Sequence, residues 1–258
     1  MNSCNLKNIT ESLLSSFFKA GMEAKKRARR GIKITIKPDN SPVTDGDIAV
    51  DIILRKSIKK LTPNIPIISE ETVNFNIKNK YKTFWLIDPI DGTKDYINKK
   101  DEYTLNASLI IDKKPSLGII YAPEKDRMFF SYGNGKAYEI KNGKRKTLNC
   151  KKKTQKGKIF ALTHSGNPSQ DILKILKKYK VLSFVKMSSS YKFCVIAAGE
   201  ADIYTCRSRA YEWDIAAGHA IVEHAGGIVT TPSGNEVVYG KENYKNPSLL
   251  VKRSKNLK

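Results

Sequence analysis

Apolar and polar positions change their period several times along this chain, and each change marks an element. Leu13, Leu14, Phe17, Phe18 and Ala20 recur at helical spacing and predict an amphipathic helix over about 9–30. Ile32 to Lys37 then alternates strictly, the pattern of a half-buried strand, and Pro38 to Pro42 is a turn. Thr44 to Asp47 leads as a loop into a second helix, about 48–60, with Ile52, Ile53 and Ile58 facing inward. Ile65 to Ile68 reads as a short strand that ends in Glu70-Glu71, and Phe84 to Ile87 as a buried strand. Consecutive strands over 103–111, 117–121, 128–132 and 137–140, with Gly133-Asn134-Gly135 and Asn142-Gly143 as turns, predict an antiparallel meander.

Beyond the lysine-rich stretch Cys150 to Lys158 the pattern alternates: strand 159–162, helix 169–179, strand 181–187, helix 191–199, strand 201–205, helix 213–224, then strands 228–231 and 249–251. An antiparallel α+β half over 1–155 followed by an α/β half over 156–258 is the expected organisation.

Carboxylates cluster where strands stop. In Asp88-Pro89-Ile90-Asp91-Gly92-Thr93, Pro89 stiffens the strand exit and Gly92 is free to adopt positive φ, so the two aspartates can converge on one point. Two anions held that close repel unless a cation lies between them. A divalent-ion site with oxygen ligands and an Asx turn with two solvated aspartates both fit this spacing. Glu70-Glu71 is a second such exit, and neighbouring strand residues point to opposite faces, so one of the two glutamates enters a shared site. Asp47 and Asp214 lie near helix starts, where a carboxylate also serves as a cap. Ser188-Ser189-Ser190 opens a helix with Lys192 just beyond, a place for an ordinary serine cap or for a phosphate.

Composition narrows the chemistry. Lys and Arg number 47 against 25 Asp and Glu, a net charge of +22. The lysines are scattered along the chain, as an AT-rich coding sequence would give, although an anionic substrate, nucleic acid or membrane face would also suit them. Lys25 to Arg30 is either such a patch or the solvated end of the first helix. The four cysteines form no C-x-x-C pair, which argues against a zinc knuckle or redox motif and for reduced thiols in a cytosolic protein. There is no signal-peptide pattern and no apolar run of membrane-spanning length. With three histidines, none placed for nucleophilic catalysis, the acidic residues point to hard ions such as Mg²⁺, and no phosphate-binding loop of the G-x-x-x-x-G-K-[ST] type is present. Mg²⁺, carboxylates and a basic surface together suit phosphate-ester hydrolysis.

Glu70-Glu71, Asp88-Pro89-Ile90-Asp91-Gly92-Thr93 and Trp213-Asp214 with Ala225-Gly226-Gly227, in that order, resemble the inositol monophosphatase superfamily. The stretches Ser41 to Thr44, Gly92 to Ile97, Tyr103 to Asn106, Ser189 to Cys194, Glu212 to Asp214 and Asn246 to Leu249 are most similar to its CysQ-type 3′(2′),5′-bisphosphate nucleotidase branch. Two departures stand out: Ser188 where that branch usually has glycine, and Thr205 to Ser208 in place of its P-R-x-G segment. Arg207 occupies the position where inositol phosphatases set a glutamate against the inositol hydroxyls.

The resemblance implies a layered α-β-α-β-α sandwich and a Mg²⁺-dependent, lithium-sensitive phosphomonoesterase. It would convert 3′-phosphoadenosine 5′-phosphate to AMP, with two or three ions per site. Glu70, Asp88 and the Ile90 carbonyl would hold one ion, and Asp88, Asp91 and Asp214 a second. Glu70 would also reach a third, weaker ion through water in this pattern. Asp47 and Thr93 would activate water, the Gly92 and Thr93 amides would grip the phosphate, and Ser189, Lys192 and Arg207 would meet the nucleotide. Inositol 1-phosphate or another sugar phosphate is the alternative substrate, and a non-catalytic nucleic-acid-binding role the distant one. A cytoplasmic monomer or homodimer is expected, in contact with no obligatory nucleic acid, and with peripheral attachment to the inner membrane face left open.

Overall fold

The computed structural model describes residues 3–76, 80–151 and 159–257. The first half of the chain contributes α1 (Ser3–Arg30), the strands β1 (Ile34–Ile36) and β2 (Pro42–Thr44), α2 (Asp45–Leu61), β3 (Ile67–Ser69), β4 (Thr83–Asp91) and the short α3 (Thr93–Ile97). A meander follows: β5 (Thr104–Ile111), β6 (Lys114–Ala122), β7 (Arg127–Ser131), β8 (Ala137–Lys141) and β9 (Lys144–Thr147). The rest comprises β10 (Phe160–Thr163), α4 (Gln170–Lys178), β11 (Ser183–Lys186), α5 (Tyr191–Ala197), β12 (Ile203–Cys206), α6 (Glu212–His224), β13 (Ile228–Thr230) and β14 (Leu249–Lys252).

Strands β3 to β9 form a seven-stranded sheet in sequence order, antiparallel except for the parallel β3–β4 pair. Its two faces follow from side-chain alternation. Trp85, Ile87, Leu105, Leu117 and Ile119 turn toward Leu13 and Phe17 of α1 and Leu54 and Ile58 of α2. Phe84, Leu86, Ile110, Ile120 and Phe129 turn the other way, onto Phe193 of α5 and Trp213, Ile221 and Val222 of α6. Beyond α5 and α6 lies the five-stranded sheet β11-β10-β12-β14-β13, in which β11, β10 and β12 run parallel. Its outer face holds Ala161, Ile203 and Leu250 against Ile172 and Leu176 of α4. The layers are therefore α, β, α, β, α.

Burying α6 between two sheets requires small residues. A Cβ on Gly218 would come within 2.4 Å of the Phe193 ring, so α5 and α6 can touch only where that side chain is missing.

Several elements depart from the expected pattern. Helix α1 begins earlier than residue 9, and α2 begins at Asp45 with Thr44 as its cap. Ile52 is 58% exposed, because the buried stripe of α2 runs through Asp47, Val50, Asp51, Leu54 and Ile58. The alternating segment 32–37 gives only β1, exposed throughout, since it pairs with β2 alone and has no sheet face to cover. Strand β11 is likewise exposed on its edge. The basic end of α1 is tied inward at Arg27, which donates to Glu23 and to Asp45 at the start of α2, both at 2.8 Å. The boundary expected within 150–158 falls largely on residues 152–158, outside the described residues.

Candidate metal and phosphate site

The two aspartates of β4 share one face because the strand is irregular there. Asp88 pairs with Asn106 and Asp91 with Thr104, so three steps on β4 oppose two on β5. In a regular strand positions three apart point to opposite faces; the extra residue brings both carboxylates round to the same side. Pro89, with no N–H to donate, sits inside this bulge, and Gly92 follows at φ 92° and turns the chain into α3.

Glu70 arrives from the neighbouring strand exit, its N–H bonded to Ile87 O at 3.0 Å. Asp214 arrives from the buried N-terminus of α6, where it accepts the Tyr211 N–H at 2.7 Å. One carboxylate oxygen each of Glu70, Asp88 and Asp214 lies within 4.8 Å of the others. Asp88 is 1% exposed and its Oδ1 has no hydrogen-bond partner. Burial, followed by the neighbouring acids, drives the Asp88 and Asp214 carboxyls well above the usual carboxylate range, and Glu70 and Asp91 are raised too. An unpartnered buried oxygen in an all-oxygen acidic cluster fits a hard divalent cation.

Asp91 lies beside this triad with one oxygen accepting the Ser190 N–H. Lys37, on the β1–β2 turn, partly offsets the acids, with Nζ 3.3 Å from Glu70 and 2.9 Å from Glu71. Only Glu70 of that pair belongs to the triad.

Asp47 combines both roles that its position allowed. Its Oδ2 accepts the Thr44 N–H at 2.7 Å in a capping box. Its Oδ1 lies 3.3 Å from the Thr93 hydroxyl, which is also 3.1 Å from the Ile90 carbonyl. Burial raises the Asp47 carboxyl to about 6 against the lowering effect of the Thr44 hydrogen bonds.

Glu70, Asp91 and Asp214 line a cavity of about 710 Å³ together with Gly92, Thr93 and Ser189. Cations line the same cavity: Lys94, Lys186, Lys192 and Arg209, with His164 among them. Lys192 is buried and donates to Ser189 O, and desolvation lowers its pKa. Desolvation, then Arg209, Lys192 and Lys186, depress His164 to about 4, so it is neutral at pH 7. Ser189 takes a left-handed φ of 51° at the entry to α5.

Arg207 does not reach this cavity. Its side chain is 64% exposed and paired with Asp171 at 2.6 Å; the cation that lines the cavity is Arg209, two residues on in the irregular segment that follows β12. Arg209, His164 and Lys186 escaped the sequence reading. Their signal lay in topology: His164, Ser188 and Arg209 follow the carboxyl ends of the parallel strands β10, β11 and β12, where open α/β sheets receive ligands.

Residues 5–257 match the model of the inositol monophosphatase family. The chain is 40% identical over 213 residues to the 3′(2′),5′-bisphosphate nucleotidase CysQ of Buchnera aphidicola subsp. Acyrthosiphon pisum (strain APS), covering 82% of this chain and 79% of that one. It is 34% identical over 220 residues to the CysQ nucleotidase of Escherichia coli (strain K12), covering 84% and 88%. The crystal structure of CysQ from Bacteroides thetaiotaomicron superposes with a TM-score of 0.78 at 27% identity over 94% of this chain and 96% of that one. With its carboxylate motifs and layered fold, the chain belongs to the inositol monophosphatase family.

Proposed function

We propose that this chain is a Mg²⁺-dependent 3′(2′),5′-bisphosphate nucleotidase that removes the 3′-phosphate of 3′-phosphoadenosine 5′-phosphate, giving AMP and phosphate. The observation that carries the reading is that the acidic cluster around the unpartnered Asp88 Oδ1 opens, through Glu70 and Asp214, onto a cavity also lined by Lys94, Lys186, Lys192 and Arg209. The activity named for the Buchnera and Escherichia relatives supports it.

In this reading Glu70, Asp88 and the Ile90 carbonyl would hold one Mg²⁺, Asp88, Asp91 and Asp214 would hold a second, and Glu70 would contribute to a third, weaker one. When bound, the ions supply Lewis acidity and neutralise negative charge on the phosphate ester. The chain's own residues do the rest. Thr93 Oγ1 orients a water and relays its proton to Asp47 Oδ1, which at about 6 is mostly ionised at pH 7 and able to accept it. The water oxygen attacks phosphorus, the P–O bond to the ribose breaks, and the leaving oxygen takes a proton from solvent, while Asp47 returns the proton it accepted to solvent. The Gly92 and Thr93 amides and the α6 N-terminus face the phosphoryl oxygens as charge develops.

Lys192, Ser189 and Arg209 meet the second phosphate and the nucleoside, with Arg209 taking the part that Arg207 held in the sequence reading. A cationic lining suits a second phosphate and is poor for a polyol. Phosphate release from 3′-phosphoadenosine 5′-phosphate and from inositol 1-phosphate, measured side by side with Mg²⁺, tests the assignment; faster hydrolysis of the inositol ester would overturn it in favour of a sugar-phosphate phosphatase.

The proposal extends to organisation and place. Residues 1–155 and 156–258 act as two halves that close the site between them. Among the described residues no helix is long and apolar enough to cross a membrane. The free Cys150, Cys194 and Cys206 suit a reducing cytoplasm. The α1 face bearing Lys19, Met22, Lys26 and Arg29 could rest on an anionic lipid surface.

A further inference from the structure

We propose that Phe75 is a positioning residue for the acidic cluster: seated on Tyr211, Trp213 and Tyr244, it ties the loop that delivers Glu70 to the helix start that delivers Asp214. The inference rests on the divalent-cation reading above.

The ring of Phe75 lies with its centroid 5.8 Å from Tyr211, 6.2 Å from Trp213 and 6.3 Å from Tyr244. Those three are themselves a rigid platform. Tyr211 stacks on Trp213 at 4.9 Å with 15° between the planes, and Trp213 meets Tyr244 at 5.6 Å. Tyr211 is the N-cap residue of α6, and its N–H holds the Asp214 carboxylate. Tyr244 O accepts the Glu212 N–H at 2.8 Å, which fixes the platform to the same helix start.

Phe75 belongs to the segment that leaves β3. Thr72 N–H closes a turn on Ser69 O at 3.1 Å, and Val73 packs against the core between Glu70 and Phe75. The polar anchors of the two elements run elsewhere, from Glu70 and Glu71 to Lys37, and from Glu212 to Gly240 and Lys241. Glu70 and Asp214 repel each other across less than 4.8 Å. A latch made of aromatic faces is indifferent to that charge and works with or without the ion. Phe75 keeps 49% of its surface exposed, so its removal leaves no deep cavity.

The test is calorimetric titration of Mg²⁺ into the metal-stripped full chain, for wild type, Phe75→Ala, Phe75→Leu and Phe75→Tyr. Phe75→Ala should weaken binding about tenfold, the scale of one or two aromatic contacts. Phe75→Leu should fall between, and Phe75→Tyr should bind within about twofold of wild type, because its ring still stacks. The metal-free proteins, melted in parallel, should show Phe75→Ala lowered by only about 2–5 °C, with the fold retained. Wild-type affinity in Phe75→Ala, or a loss that Phe75→Tyr does not restore, overturns the proposal. Absence of Mg²⁺ binding by the wild type overturns the cation reading together with it.

Discussion

The Thr93 hydroxyl lies 3.3 Å from Asp47 Oδ1 and thereby joins the start of α3 to the start of α2, 46 residues apart in the chain. The contact gives Asp47 a second task beside capping α2 through Thr44, and the two tasks use different oxygens. Asp47→Asn keeps a cap acceptor but cannot take a proton. We expect kcat to fall by two to three orders of magnitude, roughly the scale of general-base catalysis, with Mg²⁺ affinity near normal. Steady-state kinetics at saturating Mg²⁺ checks this, and activity within tenfold of wild type would remove Asp47 from the relay.

The same residue sets a pH limb. Asp47 accepts a proton only when ionised, and its carboxyl stands at about 6. Bound cations would lower that value, so kcat/KM should rise with pH and level off at or below about 6. The Asp47→Asn residual activity should lack this limb. A wild-type profile flat from pH 5 to 7 fits only if the ions carry the value below 5, so profiles at several Mg²⁺ concentrations should show the limb moving with occupancy; one that neither appears nor moves argues against the assignment.

Buried repulsion makes the cluster a stability liability until it is neutralised. Asp88 and Asp214 have folded-state pKa values raised above their unfolded values, so the stability they contribute is present at low pH and is lost as pH rises through the folded values. At pH 7.5, Mg²⁺ at 100 times its Kd should stabilise the protein by about 2.7 kcal/mol, raising Tm by roughly 5–10 °C. Asp88→Asn should raise Tm in chelator and abolish the Mg²⁺ response. Thermal melts in EDTA and in Mg²⁺ decide it; an unchanged Mg²⁺ response in the variant would place the ion elsewhere.

Much of this site was legible in the chain because its ligands sit at punctuation: Glu70 at a strand exit, Asp88 and Asp91 around a proline, Asp214 at a helix start. Such positions are fixed by short-range rules. The cationic lining was not legible because it is assembled by tertiary topology. Period-two alternation would set Arg207 and Arg209 on the same side, and only the irregular path of the chain after β12 separates them, Arg207 onto Asp171 and Arg209 onto the cavity. The exposure of β1 had the same origin, since strict alternation announces a strand but not whether a sheet lies beneath it.

That distinction between the two arginines can be measured. Arg209→Ala should raise KM for 3′-phosphoadenosine 5′-phosphate by about ten- to hundredfold, the scale of a lost charge-assisted contact, and affect a monophosphate substrate much less. Arg207→Ala breaks only an exposed pair with Asp171, so it should change KM less than about twofold. The reverse ranking in parallel kinetics would restore the assignment made from sequence alone.

A last prediction concerns stability away from the site. His224 is buried at the end of α6, where its Nδ1 accepts the Gly133 N–H at 3.2 Å and lies 2.9 Å from Ser131 Oγ. This contact suits the neutral ring, and burial depresses its pKa from 6.5 to about 4. The unfolded chain therefore binds the proton first as pH falls. Stability from this group is complete above about 6.5 and is lost between about 6.5 and 4, by on the order of 3 kcal/mol in all and about 2 kcal/mol by pH 5. His164 shifts in the same direction and the raised carboxylates in the opposite one, so the overall profile mixes them. Subtracting the urea-unfolding free energies of His224→Gln from those of the wild type at pH 7.5 and pH 5 isolates the His224 contribution, because Gln does not titrate. A difference that stays constant between the two pH values would show that His224 is not the group that loses stability on acidification.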